Sequence, residues 1–191
     1  HKTSNELINE LDVKKRNKLM KKIIKYEEIT DNLEAEIANY LGKVSTSKLS
    51  EKSSLRLRSM LSITSDLERM GDIYMQISKT VDKKTDAKLW FDQNQRDNLN
   101  MLFDKVLEAY ELMIKNLNGN YSEINLDKSI SLEVSINELR NDIRKKHFKS
   151  MEKGDYNAQS GLIYSNIFSS IERVGDHIIN VSEAASGQYL N

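Results

Sequence analysis

The residues in this chain best suited to chemistry are carboxylates that come in pairs. Glu68 and Asp72 stand in Ser65-Asp66-Leu67-Glu68-Arg69-Met70-Gly71-Asp72. Glu172 and Asp176 stand in Ser169-Ser170-Ile171-Glu172-Arg173-Val174-Gly175-Asp176, so Glu-Arg-x-Gly-Asp occurs twice. Apolar residues recur at helical spacing around each copy: Ile63, Leu67, Met70, Tyr74 and Ile77 in the first, Ile167, Ile171, Val174, Ile178 and Val181 in the second. On a helix, acids four residues apart point the same way, about 6 Å apart along the axis. They also lie on the shoulder of the apolar stripe, where burial is partial. Two such carboxylates repel each other and lose hydration, and they become tolerable beside a cation, either an arginine or a metal ion. Gly71 and Gly175 each disfavour a helix interior by roughly 1 kcal/mol relative to alanine, which predicts a packing reason for the missing side chain.

The elements that must position these acids are helices. With 191 residues, no proline and seven glycines, the chain suits one domain of long uninterrupted helices. Lys+Arg and Asp+Glu balance at 29 each, which removes a global argument for nucleic-acid binding. The lack of cysteine excludes disulfides, thiolate metal sites and cysteine nucleophiles. No apolar run approaches the ~18 residues needed to cross a bilayer. The start at His1 reads as that of a trimmed fragment. Periodicity predicts helices over 5–44, 50–81, 92–118, 124–151 and 156–185. Ile23, Ile29, Leu33, Ile37 and Leu41 supply the later stripe of the first, after a basic run from Lys14 to Lys25 that suits a solvated face or an anionic surface. Ser45–Ser50, Asp82–Asp86 and Asn118-Gly119-Asn120 read as breaks; Asp92 with Gln95 reads as a capping pair, and Asp155 as the cap of the last helix.

The repeat extends beyond the motif. Asn32-Leu33-Glu34-Ala35-Glu36-Ile37 aligns with Glu138-Leu139-Arg140-Asn141-Asp142-Ile143, 106 residues later, while the motifs are 104 apart. A helix equivalent to 92–118 is expected before the first copy, either upstream or merged into the first helix. The acids then form two sets: Glu36, Glu68 and Asp72, and Glu138, Asp142, Glu172 and Asp176. Facing helices would gather each set into an oxygen-rich site for Mg, Mn, Fe or Zn. The alternative is surface acids paired with Arg and Lys, and recurrence at the same place weighs against it. His177 corresponds to Ile73 and so serves one copy at most, and His147 reads as structural. No Glu-x-x-His pair, Gly-rich phosphate loop, nucleophile triad or zinc-protease helix is present. Nothing in the sequence demands an enzyme.

Asp66–Asp72 and Ile171–Asn180 resemble the signature of the PhoU family. The resemblance implies two three-helix repeats, a role in phosphate uptake and its regulation, and no catalysis. It also implies that acidic E/D-x-x-x-D pairs are metal-cluster ligands. These fall on Glu68/Asp72, Glu172/Asp176 and Glu138/Asp142, with Asn32/Glu36 an imperfect fourth pair. Ile37-Ala38-Asn39-Tyr40-Leu41-Gly42-Lys43-Val44, with Leu49-Ser50 and the run to Asp72, is similar to the cytoplasmic C-terminal region of bacterial sodium/phosphate cotransporters. The expectation is an all-α, PhoU-like bundle of about five long helices. Its two related repeats, 1–88 (incomplete) and 89–191, would form one compact domain. It would regulate a sodium-dependent phosphate transporter at the cytoplasmic face of the bacterial inner membrane, with divalent or iron-type metal ions. Its partners would be the membrane-spanning part of the same chain or a phosphate transporter complex, a second copy of the chain, and no nucleic acid. The alternatives are a stand-alone PhoU-type regulator and a metal-dependent phosphate-ester hydrolase.

Overall fold

A computed structural model describes residues 1–46, 48–119, 124 and 126–187. Among them are six α-helices and no strand: α1 Lys2–Asn9, α2 Val13–Ser45, α3 Glu51–Asp86, α4 Gln93–Asn118, α5 Leu126–Lys153 and α6 Ala158–Ser186. The all-α bundle expected from periodicity is therefore present, with one helix more than the five expected. None of these helices is long and apolar enough to cross a membrane. Ser47 and Asn120, read as break residues, lie outside the described residues, as do 188–191 of the second repeat.

The extra helix comes from a break that periodicity missed. Between α1 and α2 the Asp12 side chain accepts from Lys15 N at 2.8 Å, and Glu10 Oε1 accepts from Asp12 N at 2.8 Å, so two acids turn the chain and start a new helix. The opposite error concerns Asp82–Asp86, read as a break but helical to its end. Arg16 of α2 is 6% exposed and donates Nε to Asp82 Oδ1 and Nη2 to Asp86 Oδ1, both at 2.8 Å. Lys84 is buried with its ammonium 4.3 Å from the Phe91 ring centre. Arg16 and Lys84 are buried, Asp82 is part-buried and Asp86 is exposed, and the chain turns only afterwards, at Lys88 with φ 54°. The Asp92/Gln95 capping box forms as expected, but α6 is capped by Asn157, which accepts from Gln159 N and Ser160 N, and not by Asp155.

The apolar α6 is the centre of the core. It packs on α3, α4 and α5, and Tyr164, Ile167, Phe168, Ile171, Val174 and Val181 are buried against Leu99, Phe103, Ile136 and Ile77. Before α2 the described residues hold the short α1, which packs on α2, α3 and α4. This explains a miss on α2. Ile23 and Leu41 are buried as expected, but Ile29, Leu33 and Ile37 are exposed by 42%, 50% and 38%. The residues 106 positions later on α5 include Leu139, packed on the core, and Ile143, 1% exposed, because α5 has both α4 and α6 to pack on.

Arg16 ties the start of α2 to the end of α3. Replacing it with methionine should cost about 2 kcal/mol in urea unfolding, because two carboxylates four residues apart lose their shared cation. Lys15→Met, at an exposed neighbour, should change stability by no more than about 0.5 kcal/mol. Equal effects of the two substitutions would mean that the buried Arg16 carries no special weight.

Candidate metal centre

Both motif glycines are points of helix contact. A Cβ on Gly71 would lie 2.8 Å from Thr30 Oγ1 of α2, and one on Gly175 would lie 3.2 Å from Ile136 Cδ1 of α5. Ile136 stands 106 residues after Thr30, so the two contacts are equivalent. Thr30 is further held by its hydroxyl donating to Glu27 O at 2.8 Å. Absence of a side chain lets each motif helix lie close to its neighbour. The acids on the shoulders of the two helices are brought together as a result.

In the first half, Glu27 and Asp31 of α2 face Asp72 of α3. One carboxylate oxygen from each lies within 4.8 Å of the others. Glu68, half-buried, stands one turn before Asp72 on α3. Desolvation is the main cause that raises the Glu68 carboxyl above its ordinary range, followed by the charges of Asp72 and Asp31. Desolvation also leads in raising Glu27, with Asp31 and Asp72 adding to it and Lys79 opposing. None of Glu27, Asp31, Glu34, Glu68 and Asp72 forms an ion pair with a described lysine or arginine. This donor set fits a hard cation, because it offers converging oxygens that no described lysine or arginine pairs with directly.

The second half answers the same problem differently. At the positions 106 later, Glu27 is matched by Glu133, Asp31 by Asn137 and Glu34 by Arg140. Arg140 donates Nη2 to Glu172 Oε1, and Asn137 Nδ2 donates to Glu133 Oε1 at 2.5 Å. Asp176 is raised, first by desolvation and then by Glu172 and Glu133, with His177 and Arg140 pulling it down. An amide and a guanidinium have replaced two carboxylates. The cation of this half is covalently part of the chain, and the donor set fits a metal ion poorly.

Of the residues singled out from sequence, Glu68, Asp72, Glu172 and Asp176 lie at these helix seams. Glu36, Glu138 and Asp142 are exposed outside them, with Asp142 only 3.8 Å from Lys145. Asn32 is exposed too, and its amide donates to Glu28 O. The 106-residue alignment holds, but the inward pair on α2 is Glu27/Asp31. Nine residues separate Glu27 from Glu36, half a turn round the helix. The missed signal was the phase of the Gly71 contact, which puts Thr30 inward and its neighbours Glu27, Asp31 and Glu34 beside it. Arg69 and Arg173, the arginines that follow the motif glutamates, are both exposed. His177 joins no acidic cluster: its Nδ1 lies 2.8 Å from Asp66 Oδ1 across the α3–α6 seam. His147 is buried, with Nδ1 2.5 Å from Tyr156 OH.

These features define a helical module of two related halves, each pressing an acid-bearing helix onto a neighbour across a glycine. The PhoU domain pattern matches residues 3–81 and again 99–185, and the chain belongs to that family. It is 25% identical over 171 residues to the phosphate-specific transport system accessory protein PhoU homolog 1 of Thermotoga maritima, covering 86% of this chain and 70% of the relative.

A carboxyl raised on folding holds its proton more tightly in the folded than in the unfolded state. The metal-free protein should therefore gain stability as pH falls from neutrality through the raised ranges of Glu27, Glu68 and Asp176, and stop gaining below the unfolded carboxylate range. Asp72→Asn removes a charge that raises both Glu27 and Glu68. In thermal melts under chelator it should flatten this slope and raise the neutral-pH midpoint by about 2 °C. A parent whose metal-free stability falls steadily on mild acidification would contradict the assignment.

Proposed function

We propose that this chain is a regulatory docking module for phosphate uptake whose first half holds a hard cation. The observation that carries the proposal is the convergence of Glu27 and Asp31 with Asp72, beside Glu68 and without a paired lysine or arginine. When bound, a divalent or iron-type ion would supply the charge that these oxygens lack. The chain does the rest: Gly71 permits the approach of α2, Glu27, Asp31 and Asp72 present the oxygens, and Arg140 performs the equivalent neutralisation in the second half. A cluster neutralised in this way fixes α2 against α3 and yields a rigid helical surface for a partner.

The name of the Thermotoga relative, an accessory protein of a phosphate-specific transport system, supports a transporter as that partner. The resemblance in Ile37–Val44 supports a sodium-dependent cotransporter, with the module at the cytoplasmic face and joined to the membrane part. The relative's name favours the second reading, a separate accessory chain. Membrane-spanning helices encoded directly before His1 would decide for the first. The reading is non-catalytic, and turnover of a phosphate ester that Asp72→Asn abolishes would replace it with hydrolysis.

Elemental analysis of protein purified without chelator should find metal in the parent and lose it in Glu27→Gln/Asp72→Asn. At a hundredfold excess over its dissociation constant the ion should add about 2.7 kcal/mol, or roughly 5–10 °C of melting temperature. Asn137→Asp/Arg140→Glu rebuilds the acidic set in the second half and should raise the metal content per chain. Cells carrying Glu27→Gln/Asp72→Asn should also show altered phosphate-uptake rates. Metal retained in the first double variant would place the ligands elsewhere, and unchanged uptake would detach the cluster from regulation.

A further inference from the structure

Polar groups cross the α3–α6 seam at two places that the repeat makes equivalent. At one, Asp66 of α3, 6% exposed, fills the seam with its carboxylate: Oδ1 accepts from Asn180 Nδ2 at 3.3 Å and lies 2.8 Å from His177 Nδ1. The 104-residue shift carries Asp66 to Ser170 and brings Asn180 back to Gln76. The second crossing is a cavity of about 360 Å³, lined by Gln76 and Thr80 of α3 and by Asn166, Ser169, Ser170 and Arg173 of α6. Serine is too short to do at Ser170 what aspartate does at Asp66.

The chemistry of the lining is one-sided. It has a guanidinium, two amides and three hydroxyls, and no carboxylate. The Thr80 hydroxyl donates to Gln76 O at 2.8 Å. The side chains of Gln76, Asn166, Ser169, Ser170 and Arg173 form no hydrogen bond or ion pair with another described residue. Five unengaged side chains able to donate, with a net positive charge, thus surround the space where the equivalent crossing places a carboxylate. A planar arginine with neutral donors suits an oxyanion.

We propose that this cavity binds inorganic phosphate, the anion taking the part that the Asp66 carboxylate plays at the equivalent crossing. No residue of the acidic cluster on α2 and α3 lines it, so phosphate binding here goes beyond the regulatory reading and stands without metal.

The test is a titration of the full chain, stripped of metal by chelator, with inorganic phosphate, followed by calorimetry and phosphorus NMR. Saturable one-to-one binding at millimolar phosphate is expected. Arg173→Gln, at an exposed position, should weaken it about tenfold or more. Ser170→Asp supplies the missing carboxylate from the chain itself and should abolish binding while the melting temperature stays at or above that of the parent. No saturation in the parent would overturn the proposal, as would full affinity in a folded Arg173→Gln or Ser170→Asp. Phosphoserine serves as the comparison ligand: binding tighter than that of the free ion would reassign the cavity to a phosphorylated segment and overturn it too. Metal analysis on the same preparations separates either failure from a failure of the acidic cluster.

Discussion

The close approach of helices at two glycines is the constraint on which this molecule depends. A side chain at Gly71 would strike Thr30 Oγ1 at 2.8 Å, and one at Gly175 would crowd Ile136 Cδ1 at 3.2 Å. Without that approach, Glu68 and Asp72 would be acids on a wet helix shoulder, little different from Glu36 or Asp142. With it, they lose water and gain like-charged neighbours from the facing helix, which raises Glu68 and Glu27 in the first half and Asp176 in the second. A packing decision therefore creates an electrostatic problem, and the chemistry of each half lies in how that problem is answered.

The two halves answer it with the same backbone and different residues. The second half places Arg140 and Asn137 where the first has Glu34 and Asp31, so its charge is settled by the folded chain and its helix pair holds together without a solute. The first half keeps both of these positions acidic, and none of its clustered acids forms an ion pair with a described lysine or arginine. An arginine is always charged and always present, whereas an ion is present only at sufficient concentration. The asymmetry puts the acids that lack a paired cation on α2 and α3.

Much of this was legible in the sequence because its signals are local. Helices, the Asp92/Gln95 capping box and the motif acids are written in spacing alone, and the repeat exposed the equivalence of the halves. What escaped depended on phase and on distant partners. Asp82 and Asp86 look like a polar interruption until Arg16, 66 and 70 residues away, is seen to hold them. Ile29, Leu33 and Ile37 look like core from their spacing, and the counterparts of Leu33 and Ile37 on α5 are covered between α4 and α6, whereas α2 packs on α3 and the short α1. The alignment sets the register of Glu36 but not which face of α2 turns inward, and Glu27 is the acid on that face. Contact at Gly71 decides that face, and a contact is a tertiary fact.

The same exchange between built-in and supplied charge runs through the α3–α6 seam in the opposite sense. There the first half contributes Asp66, a carboxylate satisfied by His177 and Asn180, while its counterpart in the second half is Ser170 beside an unpaired Arg173. Each half thus closes one polar feature with its own side chains and leaves the other open. The first closes the seam and opens an acidic cluster, and the second closes its cluster with Arg140 and opens a basic cavity. Because α3 carries Asp72, one turn from Gln76, a single helix borders both open features, one short of positive charge and the other short of negative. A solute that steadies α3 at either place reduces the cost of ordering it at the other, and this supplies a physical route by which the two could be coupled through a rigid element without any rearrangement of the core.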